Sequence, residues 1–329
     1  MTLPFPPEQW SALQARHPFK PVYNLDRFGF RRHLSSICSV RADRRVYCDW
    51  MHGWTWWDEG FGFDDFPGPL VFPGQIKIVT STPKQAEVLR MSGHDAISGG
   101  LPFAYISQTD YSQRPETLLA FPTHSADRVR NQIVQFEYLD FLAEQRDRFE
   151  IVCVSLFIHD YIPETLYQIR RRGLVPLIGA DPCDSNSLWR TRATLDSFSH
   201  VSTNAFGSHV AYALASGCTT SVFSPVVVND PRPRANYLGL DDGHVIKKQM
   251  VQSEQWLRQN FSQLMVSCPQ NGLRDSALGR GYVGAPYILE PDRIRGAVGW
   301  DVRSNLIGSL RRTRHALPRL LWHGKDRSF

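Results

Sequence analysis

The chain has 329 residues, of which 42% are hydrophobic and 21% charged, a balance that excludes a disordered or fibrous chain and a length that favours two domains. Its 37 basic and 32 acidic residues leave a formal charge of +5, too mild to argue for nucleic acid but compatible with phosphorylated ligands or an anionic membrane surface. No apolar run reaches about 18 residues, MTLPFPPEQW lacks the basic-then-apolar order of a secretory signal, and the six cysteines contain no C-x-x-C pair, so no membrane span, disulfide framework or zinc site is expected and the expected location is cytoplasmic.

In chain order, RRVYCDWMHGW (44–54) reads as a strand running into a loop, and GQIKIVTS (74–81) as a second strand. TPKQAEVLRMSG (82–93) reads as a helix, with Thr82 as cap, Pro83 in the first turn and Gly93 as terminator. ISGGLPFAYI (97–106) follows as strand and loop, and the polar SQTDYSQRPE (107–116) is the expected linker. Beyond it, strands at TLLAFP (117–122), EIVCVSLF (150–157), LVPLIGA (174–180), HVST (200–203) and TTSVFSP (219–225) alternate with helical stretches. The first of these helices is marked by Val129, Ile133, Phe136, Leu139 and Leu142 at helical spacing. Five strand–helix alternations predict a parallel, doubly wound α/β sheet. Residues 289–322 read as one or two helices. The expected division is a smaller N-terminal α/β domain (1–110), a larger nucleotide-binding domain (111–300) and a basic helical tail (301–329).

Ligands of such sheets bind beyond the carboxyl ends of the strands, and several polar clusters fall there. Asn204, Gly207, Ser208 and His209 open the helix GSHVAYALASG, where unpaired amides and the positive dipole end suit a phosphate; the alternative is a plain cap and turn with His209 packed. Thr123, His124 and Ser125 open another helix, either as nucleotide contacts or as a cap with a surface histidine. His159 and Asp181 end two further strands on the same rim. In WMHGWTWW (50–57), His52 is a candidate general base, with Asp58 and Glu59 as alternatives, and Trp54, Trp56 and Trp57 offer faces for stacking on a sugar; the alternative is an aromatic core corner. The histidines have no H-E-x-x-H or H-x-H spacing, and no G-x-G-x-x-G, Walker loop or G-x-S-x-G elbow is present.

The segments HGW, VTSTPKQAEVLRMSG, GLPFAYI, LLAFPTHS and STNAFGSHVAYALASG together resemble GT-B-type glycosyltransferases of bacterial polysaccharide and lipopolysaccharide biosynthesis, over roughly residues 44–225. The His-Gly pair after an N-terminal strand also resembles the polyol-phosphate transferases of teichoic acid synthesis, in which a histidine there is the base. The resemblance implies two facing Rossmann-like domains with a cleft between them. It further implies metal-independent transfer of a sugar from a nucleotide sugar, bound by the C-terminal domain, to a glycan or lipid-linked hydroxyl acceptor at the N-terminal one, with no cofactor beyond the donor. The chain is short for that group and lacks the E-x7-E pattern of many retaining members, so stereochemistry stays open. A sugar-nucleotide epimerase of the same architecture and a non-catalytic nucleotide- or carbohydrate-binding protein are the competing readings. The tail SLRRTRHALPRLLWHGKDRSF (309–329) carries Arg311, Arg312, Arg314, Arg319, Lys325 and Arg327 against Asp326; it reads either as a terminal helix packing its leucines on the body or as a peripheral contact with an anionic membrane.

Overall fold

The computed structural model describes residues 7–22, 24–54, 77–108, 116–124, 136–227 and 253–310. Ser125, Trp56, Trp57, Asp58 and Glu59, most of the expected linker, and the basic residues from Arg311 onward lie outside them.

Helices α1 (Pro7–Gln14) and α2 (Phe30–Ile37) precede a small parallel sheet of β1 (Cys48–Trp50), β2 (Lys77–Thr80) and β3 (Ala96–Ser98), ordered β1-β2-β3. Helix α3 (Pro83–Met91) makes the crossover from β2 to β3. Its start is the expected one: Thr82 Oγ1 accepts from the Gln85 amide, and the Gln85 side chain accepts from the Thr82 amide, satisfying two orphan donors reciprocally. Gly93, at φ +83°, ends it in the left-handed conformation that glycine adopts without steric cost.

The larger sheet contains β4 (Thr117–Phe121), β5 (Ile151–Leu156), β6 (Val175–Ile178), β7 (His200–Thr203) and β8 (Thr219–Val222), all parallel. Helices α4 (Phe136–Glu144), α5 (Pro163–Arg170), α6 (Ser187–Ser197) and α7 (Ser208–Ala215) lie between them in sequence. Strands buried on both faces read as unbroken apolar runs, and β5 buries all six of its residues. The spatial order is β6-β5-β4-β7-β8. Numbered by appearance in the sheet this is 3-2-1-4-5, the Rossmann-like order, in which successive crossovers leave β4 and β7 in opposite directions and open a crevice at their carboxyl ends. The protein is therefore α/β with two parallel sheets.

Both ends of the described chain cross over. The N-terminal segment docks on the larger sheet: the Phe19 amide donates to the Cys183 carbonyl, the Ser185 amide to the His17 carbonyl, and α1 rests against β6 and α6. At the other end come α8 (Glu254–Asn260), α9 (Ser276–Tyr282), α10 (Pro291–Val298) and a last helix, α11, over residues 302–310. Gly279 of α9 sits so close to α7 that an added Cβ would lie 2.1 Å from the Ala215 nitrogen. The segment that follows returns to the smaller sheet, where the Leu101 amide donates to the Val283 carbonyl and the Tyr47 amide to the Val298 carbonyl. Within its described part, to residue 310, the expected terminal helical stretch holds two helices, separated by Gly299 at φ +85°.

One continuous apolar core joins the sheets, running from Leu34, Trp50 and Phe103 through Phe206, Val210 and Tyr212 to Val283 and Ile294. Phe103 and Tyr212 stack at 4.3 Å and 7° across this junction. A second cluster, built on Tyr138, Leu142, Val154 and Ile169, lies where α4 and α5 cover the larger sheet.

Asp184 and Arg190, both fully buried, form an ion pair that pins the N-terminal segment. Asp184 Oδ1 also accepts from the His17 and Asn186 amides, and Arg190 Nη1 donates to the Ala15 carbonyl. Removing one partner leaves the other charge buried and uncompensated, which costs about 3–5 kcal/mol. Asp184→Ala should lower the stability measured by urea unfolding by that amount and speed proteolytic cleavage within residues 7–22. An unchanged unfolding midpoint would contradict this role.

Candidate functional site

The crevice between β4 and β7 is strapped at its floor. Asn204, fully buried just past β7, accepts at Oδ1 from the Thr123 amide at 2.8 Å, tying the ends of the two strands together. Thr203 Oγ1 lies 2.7 Å from the Phe121 carbonyl oxygen and completes the tie. Thr123 Oγ1 is buried and, among the described residues, has no hydrogen-bond partner. A buried hydroxyl left unpaired costs about 1–3 kcal/mol, so its place at the mouth of a ligand crevice calls for an explanation.

Helix α7 begins directly above this floor. Gly207 at its N-cap supplies no side-chain cap; the Val210 amide donates to the Gly207 carbonyl, so the Ser208 and His209 amides are the ones left to solvent or to an anion. The Gly207 φ of −167° is extended backbone open to any residue; an added Cβ would stand 3.4 Å from the His209 ring. Neither an unusual dihedral nor a tight contact therefore demands glycine at this position.

His209 itself is a packing residue. Its Nε2 lies 3.1 Å from the Ala205 carbonyl oxygen and 2.8 Å from Thr203 Oγ1. A carbonyl only accepts, so Nε2 carries the proton and Nδ1 is left as an acceptor. The ring stacks on Phe121 at 5.4 Å. Burial, aided by the neighbouring His124, pushes its pKa down to about 4. At neutral pH the ring has one N–H, already engaged, and no proton to offer a phosphate. Of the two roles open in the sequence, the geometry selects packing.

The loop after β1 reaches the same place from the smaller sheet. The Trp54 amide donates to Ser208 Oγ at 2.8 Å, and the Tyr212 hydroxyl donates to the His52 carbonyl at 3.0 Å. The His52–Gly53–Trp54 turn is therefore bolted to the first turns of α7 by two hydrogen bonds. Ser208 is a brace in this arrangement. Trp54 is not a stacking platform: it is buried between Phe206 (5.7 Å) and Tyr282 (4.7 Å), so the expectation that it meets a sugar gives way to a core role. The His52 ring is only half-buried, 5.7 Å from the Phe28 ring.

The other rim residues divide. His124 is exposed and stacks on Phe157 at 4.8 Å, and the exposed His159 packs against the same ring at 5.2 Å. Both imidazoles thus gather at the ends of β4 and β5. Asp181 is buried, pairs with Arg16 and accepts from the Cys183 amide; it anchors the N-terminal segment and does not face the crevice as a free group. Sequence reasoning overlooked Tyr212, whose place in the middle of an apolar helix looks like core packing and whose hydroxyl partner lies 160 residues away. Among the described residues no group of three or more His, Cys, Asp or Glu side chains gathers to hold a metal ion, and no helix is long and apolar enough to cross a membrane. Neither a protein-family model nor a curated protein matches the chain.

The depressed pKa of His209 has a testable consequence. The ordinary value is 6.5 and the folded value about 4, so between these pH values the unfolded chain binds a proton that the folded one refuses. Stability contributed by the neutral ring is complete above pH 6.5 and is lost as pH falls towards 4, by up to about 3 kcal/mol. His209→Gln keeps a donor for the Ala205 carbonyl and does not titrate. Urea unfolding at pH 7 and pH 4.5 should show a smaller loss in the variant; equal losses would contradict the assignment. His200, also held below its ordinary value by burial, contributes equally to both proteins.

Proposed function

We propose that the protein is a metal-independent, GT-B-like glycosyltransferase that moves a sugar from a nucleotide donor seated in the β4/β7 crevice to a hydroxyl acceptor. The observation that carries this reading is the junction of two motifs, joined by hydrogen bonds that span 154 and 160 residues. The His52–Trp54 turn, at the carboxyl end of β1, is hydrogen-bonded to the entrance of α7, at the carboxyl end of β7. A phosphate on the first turn of α7 would lie beside the turn that carries His52.

In this reading the leaving diphosphate rests on the uncapped amides of α7, where the helix dipole favours the charge that develops as the sugar–phosphate bond breaks. Thr123 supplies its unpaired hydroxyl as a donor to a phosphate or ribose oxygen. The acceptor hydroxyl attacks the anomeric carbon while His52 takes its proton; the glycosidic bond forms and the nucleoside diphosphate leaves. His124 and His159 flank the mouth near β5. The donor is a cytoplasmic metabolite in this scheme, so the protein acts in the cytoplasm, and its products belong to cell-surface polysaccharide synthesis.

Thr123→Val gives the most discriminating test. It removes a buried unpaired hydroxyl at nearly constant shape, so the fold should be as stable or slightly more so. Titration calorimetry with nucleoside diphosphates should show affinity falling about tenfold, the loss of one hydrogen bond to a charged group. Undiminished affinity would remove Thr123 from the site, and no binding of any nucleotide would remove the donor site itself. His52→Ala should lower turnover about 100-fold or more with donor affinity unchanged. Nucleoside diphosphate released without acceptor, or turnover equal to wild type, would point away from His52 as acceptor base.

A further inference from the structure

Phe28 is held in a backbone conformation that its side chain opposes. At φ +61° and ψ +14° it lies in the left-handed region, where Cβ crowds the following carbonyl and where bulky residues are outliers. Gly29 after it is left-handed as well, at φ +82°, and an added Cβ there would run into the Ser185 carbonyl. Backbone strain of this kind persists only where the surroundings over-determine it, and it collects at functional sites.

The turn Asn24–Gly29 is over-determined in this way. The Phe28 amide donates to the Pro182 carbonyl at 3.1 Å, in the loop after β6. The buried Asp26 accepts from the Val22 amide at 2.6 Å and pairs with Arg31 at 2.7 Å. Leu25 and Phe30, on either side, are buried and anchor the turn in the apolar core. Phe28 is not needed as a third anchor: it stays half-buried, and its ring lies 5.7 Å from the His52 ring, tilted by 43°. The loop after β6 thus sets an aromatic face, through one strained residue, against the histidine after β1. The bonds to Ser208 and Tyr212 engage the Trp54 amide and the His52 carbonyl, so they fix the main chain of that turn and do not reach the imidazole. A histidine that takes a proton must aim one ring nitrogen at the hydroxyl, and its orientation counts as much as its place.

We propose that Phe28 is a positioning residue for His52: its ring packs on the imidazole and holds it in one orientation for proton removal. The role in turnover rests on the transferase reading above; the packing of the two rings does not, so the test reads them separately.

The first readout is diethyl pyrocarbonate labelling of the full chain, mapped by mass spectrometry, which reports how open each imidazole is. Phe28→Leu removes the aromatic cover and should raise the labelling rate of His52 about threefold or more, while Phe28→Tyr keeps the wild-type rate. His124 and His159 pack on Phe157 instead and should label equally in all three proteins. Phe28→Asn, which accepts the left-handed conformation, removes the ring at less backbone cost and serves if the leucine variant does not fold. The second readout is steady-state kinetics with a nucleotide sugar and its acceptor. Phe28→Leu should lower kcat about tenfold with donor KM unchanged, and Phe28→Tyr should restore it. His52→Ala/Phe28→Leu should be no slower than His52→Ala, because a residue that acts through His52 has nothing left to act on. Unchanged His52 labelling in the folded leucine or asparagine variant would overturn the packing role. Wild-type kcat, a raised donor KM as the sole effect, or additive losses in the double variant would overturn the positioning role. Labelling as expected in a wild type without turnover would overturn the transferase reading, and with it the role in turnover, but not the packing of Phe28 on His52.

Discussion

The hydrogen bond from the Trp54 amide to Ser208 Oγ is small, 2.8 Å between two ordinary groups, yet the functional geometry depends on it. Together with Tyr212 and the His52 carbonyl, it fixes the turn after β1 against the entrance of α7. Two parallel sheets each end in a carboxyl rim, and a ligand site that uses both needs those rims held at a set separation. The stacked Phe103–Tyr212 pair beneath supplies the stiffness, because Tyr212 belongs to both the core and the clamp. The first turns of α7 and the 52–54 turn are then parts of one rigid unit.

The crossovers at the chain ends serve the same purpose. Residues 7–22 lie on the larger sheet through the Arg16–Asp181 and Arg190–Asp184 pairs, and residues 283–300 lie on the smaller sheet. Each end of the described chain thus ties across the junction, and the shared apolar core leaves little freedom for independent motion of the sheets where these residues meet.

Much of the larger sheet was legible in the sequence, because its strands are short, apolar on both faces and separated by helices with clear starts. HVST matches β7 residue for residue, TTSVFSP starts where β8 starts but runs three residues past its end, and Thr82 caps α3 as read, with Gln85 completing a capping box that was not read. The strand order was not legible: five strand–helix alternations fit several orders, and pairing of β4 with β7 depends on contacts some 80 residues apart. The site was legible in part. Polar residues at strand ends were found, but their partners were not. Asp181 reads as a ligand until Arg16 is placed beside it, and Trp54 reads as a stacking face until Phe206 and Tyr282 enclose it. The unpaired hydroxyl of Thr123 has no sequence signal at all, since being unpaired is a property of the surroundings.

Amide hydrogen exchange, followed by mass spectrometry with and without a saturating nucleoside diphosphate, tests the joined site most directly. Slowed exchange is expected together in two segments distant in sequence, the start of α7 (206–211) and the turn 51–54, because the ligand on the first steadies the second through Ser208 and Tyr212. Protection confined to some other part of the chain, or protection of the α7 start with the 51–54 turn unaffected, would contradict the coupling of donor site and base.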